Sequence, residues 1–332
     1  MSPRIMVTGA AGQIGSELVV ALRKNYGDGN VIATDKAVTR AQVMPGVLEQ
    51  LDVMHLSSVE RAIRAHKIDT VYHLAAILSA VGEANPDLAW DINMGGLKNI
   101  LDASVRQGVR RVFWPSSIGV FGPDAPKVRA PQETALNPTT MYGVTKVAGE
   151  LLCEYYFLKH GLDVRSVRYP GLISSEAKPG GGTTDYAVEI FYSAIQTGHY
   201  TCFLREDTIL PMMYMPDALR AAVEIMEADA AKVKLHRGYN VGAFSFSAGE
   251  LAGEIAKHVP GFRTIYAPDS RQAIADSWPR SVDDSSARGD WGWKEEYDMP
   301  GMVADMLVRL RPRLSAGEKT FNSTIGSVHR YR

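Results

Sequence analysis

Tyr142-Gly143-Val144-Thr145-Lys146 puts a phenol and an ammonium four residues apart, which is one face of a helix. A cation so close favours the phenolate and draws the tyrosine pKa toward neutrality. A phenolate can take the proton of a substrate hydroxyl while a hydride leaves the adjoining carbon. Pro115-Ser116-Ser117 lies upstream, and the Ser117 hydroxyl could hold the reacting oxygen in line. Asn93 could position Lys146 or a water, or be an ordinary polar helix residue. A Tyr-x-x-x-Lys pair also arises on unremarkable amphipathic helices, so its weight depends on whether the chain can hold a hydride acceptor.

The N-terminus offers such a holder. Ile5-Met6-Val7 reads as a strand, Thr8-Gly9-Ala10-Ala11-Gly12-Gln13-Ile14-Gly15 as a turn, and the residues from Ser16 to Tyr26 as a helix. The spacing is G-x-x-G-x-x-G. Gly9 permits the tight turn, Gly12 leaves room for a pyrophosphate, and Gly15 lets helix and strand pack closely. The positive end of the helix then faces the phosphates. Asp35 closes a second strand, Val31-Ile32-Ala33-Thr34, twenty residues after Gly15. A carboxylate there accepts the adenosine ribose hydroxyls and repels a 2′-phosphate, which favours NAD over NADP. Lys36 and Arg40 lie nearby and weaken that preference. A positively charged nicotinamide would further favour the Tyr142 phenolate.

These residues need a frame. Val47 to Val53, ending Leu51-Asp52-Val53, reads as a third strand, and Ser57-Ser58-Val59-Glu60 as a capping box opening a helix to His66. Thr70 to Ala76 is a buried strand whose small last residues suit a flat cofactor; His73 inside it reads as a packed core histidine. A helix from Pro86 to Gln107, a strand Arg111–Trp114, a helix from Thr139 to His160 and a strand Val164–Tyr169 follow. The alternation predicts an α/β fold, a Rossmann-type doubly wound parallel sheet with a smaller C-terminal α/β substrate lobe. Residues 1–170 would form the dinucleotide-binding domain, with 212–242 returning to it through the strand Tyr239–Gly242. Residues 171–211 and 243–315 would form the substrate lobe, and 316–332 a polar tail. Asp217 is a candidate cap for a helix at Pro216, and Ser247-Ala248-Gly249-Glu250 is a second capping box.

Composition narrows the function classes. The 332 residues are 45% hydrophobic and 22% charged with a formal net charge of −1, which gives no general attraction to nucleic acid or to an anionic membrane. The two cysteines, Cys153 and Cys202, form no C-x-x-C pair, and the eight histidines show no ligand spacing, so neither a disulfide framework nor a metal site is expected. No apolar run is long enough to span a bilayer. The first strand starts at Ile5, so no targeting segment is read and a cytoplasmic location is expected, with the mitochondrial matrix as the eukaryotic alternative. Asn322-Ser323-Thr324 reads as a chance glycosylation sequon.

Thr8-Gly9-x-x-Gly12-x-x-Gly15, Asp35, Asp52, His73-Leu74-Ala75-Ala76, Asn93, Ser117 and Tyr142-x-x-x-Lys146 together resemble the extended short-chain dehydrogenases, the group of UDP-galactose 4-epimerase. Four later segments are similar to the short-chain type of L-threonine 3-dehydrogenase: 168–174, 180–186, 211–217 and 276–279. The resemblance implies oxidation of the threonine β-hydroxyl to L-2-amino-3-oxobutyrate with NAD and without zinc. It implies Tyr142, Lys146, Ser117 and Asn93 as the catalytic set. For the cofactor it implies Gly9, Gly12, Gln13, Ile14, Gly15, Asp35, Lys36, Asp52, Val53, Leu74, Ala75, Ala76, Asn93, Tyr142, Lys146 and Tyr169.

Threonine is a small zwitterion whose charges need partners once the site closes. Gly180-Gly181-Gly182 could turn N–H groups toward its carboxylate, with Thr183 and Thr184 adding hydroxyls. Asp185 is the nearest acid for the ammonium, or else a helix cap, and Ser79 could complete a pocket with Ser117 and Tyr142. The glycines predict a loop that stands open until substrate binds. Relatives pair their two long helices across a two-fold axis, and apolar residues on several faces of 86–107 and 139–160 lead to the expectation of a homodimer. A nucleotide-sugar epimerase or dehydratase and a non-catalytic dinucleotide-binding regulator are the competing readings.

Overall fold

The structure is a computed structural model that describes residues 2–37, 48–178 and 180–315. Arg40, Val47, Pro179 and the tail from 316, with its sequon, lie outside the described residues.

Strand β1 (Ile5–Thr8) is wholly buried and runs straight into helix α1 (Gln13–Tyr26). Strands β2 (Val31–Asp35) and β3 (Leu48–Gln50) and helix α2 (Leu56–His66) follow, then β4 (Thr70–His73), α3 (Ser79–Ala84), α4 (Pro86–Trp90) and α5 (Gly96–Gln107). Next come β5 (Arg111–Phe113), β6 (Ser116–Ser117), α6 (Met141–His160), β7 (Asp163–Arg165) and β8 (Val167–Tyr169). The central sheet has the order β3-β2-β1-β4-β5-β7, and every pairing in it is parallel. The order reverses beside β1, and the crevice beyond the carboxyl ends of the strands at such a reversal is where doubly wound folds hold ligands.

The second part of the chain comprises β9 (Gly171–Ile173), α7 (Tyr186–Gln196), β10 (His199–Cys202), β11 (Ile209–Tyr214) and α8 (Met215–Glu227). It continues with β12 (Tyr239–Asn240), β13 (Phe244–Ser247), α9 (Ala248–His258), β14 (Arg263–Tyr266), α10 (Arg271–Ser277), α11 (Ser285–Trp291) and α12 (Met299–Ser315). β12 pairs with β8, and β8 with β6, so the strand Tyr239–Asn240 rejoins the strands that carry Ser117. β9, β11 and β13 form a separate sheet covered by α7, α9 and α12. The cores divide accordingly. Met302, Val303, Met306, Leu307 and Leu310 of α12 pack with Phe191 and Tyr214, whereas Leu18, Leu22, Ile5 and Val7 pack with Ala218 and Ala222 of α8.

Several local expectations are corrected. Residues 86–107 form one helical run, but Asp91–Gly95 is a π-turn that separates α4 from α5 and carries Asn93. α2 starts one residue before Ser57, with His55 at its N-cap and no side-chain cap, so Ser57–Glu60 is not a capping box. Asp217 lies inside α8; its buried carboxylate accepts from Glu296 N and Tyr297 N and pairs with Arg220, clipping the chain ahead of α12 onto α8. The Ser247–Glu250 box does cap α9. Cys153 and Cys202 are free and buried. Among the described residues no helix is long and apolar enough to cross a membrane.

Candidate active site

The glycine turn is built by close approach. Gly9 has φ +70°, and a Cβ on it would lie 2.6 Å from Ala75 N, so turn and β4 end touch through backbone. A Cβ on Gly15 would lie 2.2 Å from Gly9 O, so that glycine is required by the turn itself rather than by the strand. Gly12 caps α1 in extended conformation, and within 4 Å its Cβ would meet only Gly9 O, at 3.2 Å. Asp35 braces the turn: Oδ2 accepts from Ala11 N at 2.9 Å and Oδ1 from Ala37 N at 3.0 Å. Asp52 accepts from Met54 N and pairs with Lys36 at 3.1 Å. Burial acts to raise its pKa, but these two partners outweigh burial and hold it below the usual carboxylate range. Val53 is buried, and Asn99 donates to its carbonyl.

α6 starts where Thr140 Oγ1 accepts from Gly143 N at 3.1 Å, and it delivers Tyr142 and Lys146 to one cleft. The cleft also takes Gln13 and Ile14 from α1, Leu74 and Ala76 from the end of β4, Ser79 from α3, Ser117 from β6 and Tyr169 from β8. Gly182, Thr183, Thr184 and Asp185 close it on the far side. It encloses about 810 Å³, part of it open to solvent.

Tyr142 is hydrogen-bonded to Ser117, whose Oγ also accepts from Gly119 N at 3.1 Å. Burial pushes the Tyr142 phenol up, and the Ser117 bond pulls it part of the way back. This corrects the expected lowering by Lys146. Lys146 Nζ donates to Pro115 O at 2.6 Å and lies 5.5 Å from the Tyr142 ring centroid, so its charge is directed at a carbonyl rather than at the phenol oxygen. Burial pulls Lys146 itself down to about 8, with Cys153 and Glu150 acting in the opposite direction. Asn93 does not reach Lys146. Its amide bonds both backbone groups of Ile77, at 2.7 and 3.2 Å, and Thr145 Oγ1 at 3.1 Å, fastening the segment after β4 to α6.

The loop 180–185 departs most from expectation. Gly181 N and Gly182 N both donate to Asp185 Oδ2 at 2.8 Å, so these N–H groups are held by the loop's own carboxylate. Burial pushes the Asp185 carboxyl up, and the glycine N–H groups oppose it. The loop lies folded over the cleft. Thr183 is buried and its hydroxyl lies 3.4 Å from that of Ser79, and Asp185 is also buried. A Cβ on Gly171 would lie 2.7 Å from Thr184 Cγ2, so that glycine is what allows the loop to meet β9.

The scaffold recurs in known proteins. The NAD dependent epimerase/dehydratase family model matches residues 5–242. The chain belongs to the NAD-dependent epimerase/dehydratase family. An uncharacterized epimerase/dehydratase of Staphylococcus haemolyticus is 52% identical over 307 residues, covering 92% of this chain and 96% of that protein. The holo form of a GalE-like L-threonine dehydrogenase from Cupriavidus necator superposes with a TM-score of 0.91 at 52% identity, covering 93% of this chain and 100% of that one. The apo form of a monomeric L-threonine 3-dehydrogenase from a metagenome gives 0.91 at 50% identity, covering 93% and 99%.

The family's cofactor fits the residues present. The open side of Gly12 leaves a cradle at the N-terminus of α1, and Gln13 Nε2 is buried at the cleft without a hydrogen-bond partner. Asp35 stands at the end of β2, where an adenosine ribose would be read, and Lys36 is already paired with Asp52. His73 is a packed core histidine: its Nδ1 shares a 2.7 Å bond with Thr8 Oγ1, and burial, with a smaller push from Lys146, pulls it down to about 3. Tyr169 spends its hydroxyl on Ala218 O at 2.6 Å, leaving its ring to the cleft. Sequence reasoning missed Trp278 and Leu172 as cleft residues. Trp278 stands at the C-cap of α10, within the segment 276–279 that carried the resemblance but was given no role there.

Proposed function

We propose that the protein is an NAD-dependent L-threonine 3-dehydrogenase that oxidises the β-hydroxyl to L-2-amino-3-oxobutyrate. The observation that carries this reading is the roof of the pocket: Thr183 and Asp185 are buried over the cleft, and the Thr184 methyl rests on Gly171 beside Tyr142. Such a space suits a small zwitterion. A nucleotide sugar would need cations along a diphosphate, and among the described residues lining the cleft the Lys/Arg cation is Lys146, which is engaged by Pro115 O. The threonine dehydrogenase neighbours support the same choice.

When bound, NAD supplies the hydride acceptor and a positive ring charge. Burial holds the Tyr142 phenol up, so it must first release its own proton, which a positive nicotinamide ring would favour; Tyr142 Oη then receives the proton of the β-hydroxyl as the C–H electrons leave as hydride. Ser117 shares the hydrogen bond and holds that oxygen in line. Lys146 contributes a fixed cation on the same helix. Ser79, Ser117, Thr183, Thr184 and Gly182 edge the amino-acid end, and Asp185 is the carboxylate facing the ammonium. Because Gly181 and Gly182 serve Asp185, the substrate carboxylate falls to the hydroxyls of Ser79, Thr183 and Thr184. NADH formation followed by absorbance tests the reading: threonine should support turnover, whereas UDP-sugars should yield no epimer. Turnover of UDP-sugars without threonine oxidation would reverse it.

We also propose that two copies pair through α6 and the α4–α5 run. Leu151, Tyr155 and Leu158 are about half exposed or more on α6, and Trp90 is exposed on α4. These are supports for an isologous helix interface; the metagenome relative is described as monomeric.

A further inference from the structure

Glu17 lies on α1 one turn beyond Gln13, on the same face. Its carboxylate accepts the Ser174 Oγ–H at 2.5 Å. Ser174 is the fully buried residue that follows β9, and its Oγ in turn accepts from Glu176 N and Ala177 N, both at 2.9 Å. From the other side α12 grips the same turn: Arg313 donates to Ser175 O and to Glu176 Oε2, the latter at 3.1 Å. This turn joins β9, which opens at Gly171 under the Thr184 methyl, to the loop that roofs the cleft. Neither Glu17 nor Ser174 lines the cleft.

We propose that Glu17 is a positioning residue for amino-acid binding, setting through Ser174 the turn from which the 180–185 loop hangs and so linking the grip on substrate to the helix that carries the cofactor turn. This rests on the threonine dehydrogenase reading. An ionised Glu17 obliges Ser174 to donate its proton, which leaves the Ser174 oxygen to both amides. A protonated Glu17 brings a competing O–H to that oxygen, and the turn loosens. Burial pushes Glu17 up to about 7; the Ser174 bond, Arg309 and Arg313 oppose this, and Glu176 adds to it. Arg309 is itself paired with Asp305 on α12, whose carboxylate also accepts from the Tyr214 hydroxyl at the end of β11. The functional sign follows: the turn tightens, and KM for threonine falls, as pH rises through about 7. The stability sign is opposite. A carboxyl whose folded pKa is raised favours folding in its protonated form, and that contribution is lost as pH rises through about 7. Glu17→Gln should therefore fold and be at least as stable as wild type at alkaline pH.

The test is amide hydrogen exchange at Glu176 and Ala177, corrected for intrinsic rates, from about pH 6 to about pH 8.5. It is paired with threonine kinetics on the same wild-type, Glu17→Gln and Ser174→Ala proteins. In wild type, protection should rise roughly threefold or more with pH and threonine KM should fall in step, with kcat changing less than KM. In Glu17→Gln both should be flat, and in Ser174→Ala the two amides should exchange fast throughout. Protection in Glu17→Gln that titrates as in wild type, or a wild-type threonine KM that ignores the change in exchange, overturns the proposal. Failure to oxidise threonine at all rejects the activity reading instead, and the exchange measurement needs no substrate.

Discussion

At the scale of single residues, Tyr142 carries the chemistry and His73 reports on the fold. Tyr142→Phe keeps the ring and removes the proton acceptor, so kcat should drop by about a hundredfold or more while NAD binding, measured by calorimetry, persists. Near-normal turnover would reassign the base. His73 is held neutral by burial with a folded pKa of about 3 against an ordinary 6.5. A group depressed in this way contributes stability that is complete above about 6.5 and is lost as pH falls toward about 3. Stability should therefore decline by up to about 1.4 kcal/mol per pH unit across that window from this group. Denaturant titrations of wild type and His73→Asn should show a shallower acid slope in the variant. The reading of His73 as a core residue was available from its apolar neighbours alone. The state of Tyr142 was not. Spacing places Lys146 beside it, but only the fold reveals that the ammonium is spent on Pro115 O.

At the scale of elements, the strands and the long helices were legible because their apolar periodicities are strong. Their ends were less so. The π-turn at Asp91–Gly95 follows the helical pattern without a break in composition, yet it determines that Asn93 meets Ile77 and Thr145. The loop 180–185 shows a different limit. Three glycines advertise free N–H groups, but a carboxylate a few residues on claims two of them, and sequence spacing does not rank an internal anion against an external one. Gly171 is where this loop can be tested. A Cβ there would stand 2.3 Å from Met212 Sδ as well as against Thr184. Gly171→Ala should cost about 1–3 kcal/mol by overpacking and raise threonine KM more than NAD KM. An unchanged threonine KM would mean that the loop does not shape the pocket.

At the scale of the whole molecule, the doubly wound sheet followed from the alternation of strands and helices, whereas its order is seen only in the fold. The second lobe was obscure because its strands are short and its pairings join distant segments, as β10 with β14 and β9 with β11. Solvent-facing Leu151, Tyr155 and Leu158 bear on assembly. Light scattering at micromolar concentration should give twice the chain mass, and a charge placed at Leu158 should halve it; a wild-type monomer would refute the pairing. α12 has a consequence in time. Its residues complete the core around Phe191 and Tyr214, and it alone provides the Arg313 grip on the 175–176 backbone. A chain emerging from the ribosome at roughly 5–20 residues per second can assemble the dinucleotide-binding sheet well before α12 exists. Nascent protein should thus acquire its cofactor cradle first, and gain a roofed amino-acid pocket only as α12 docks.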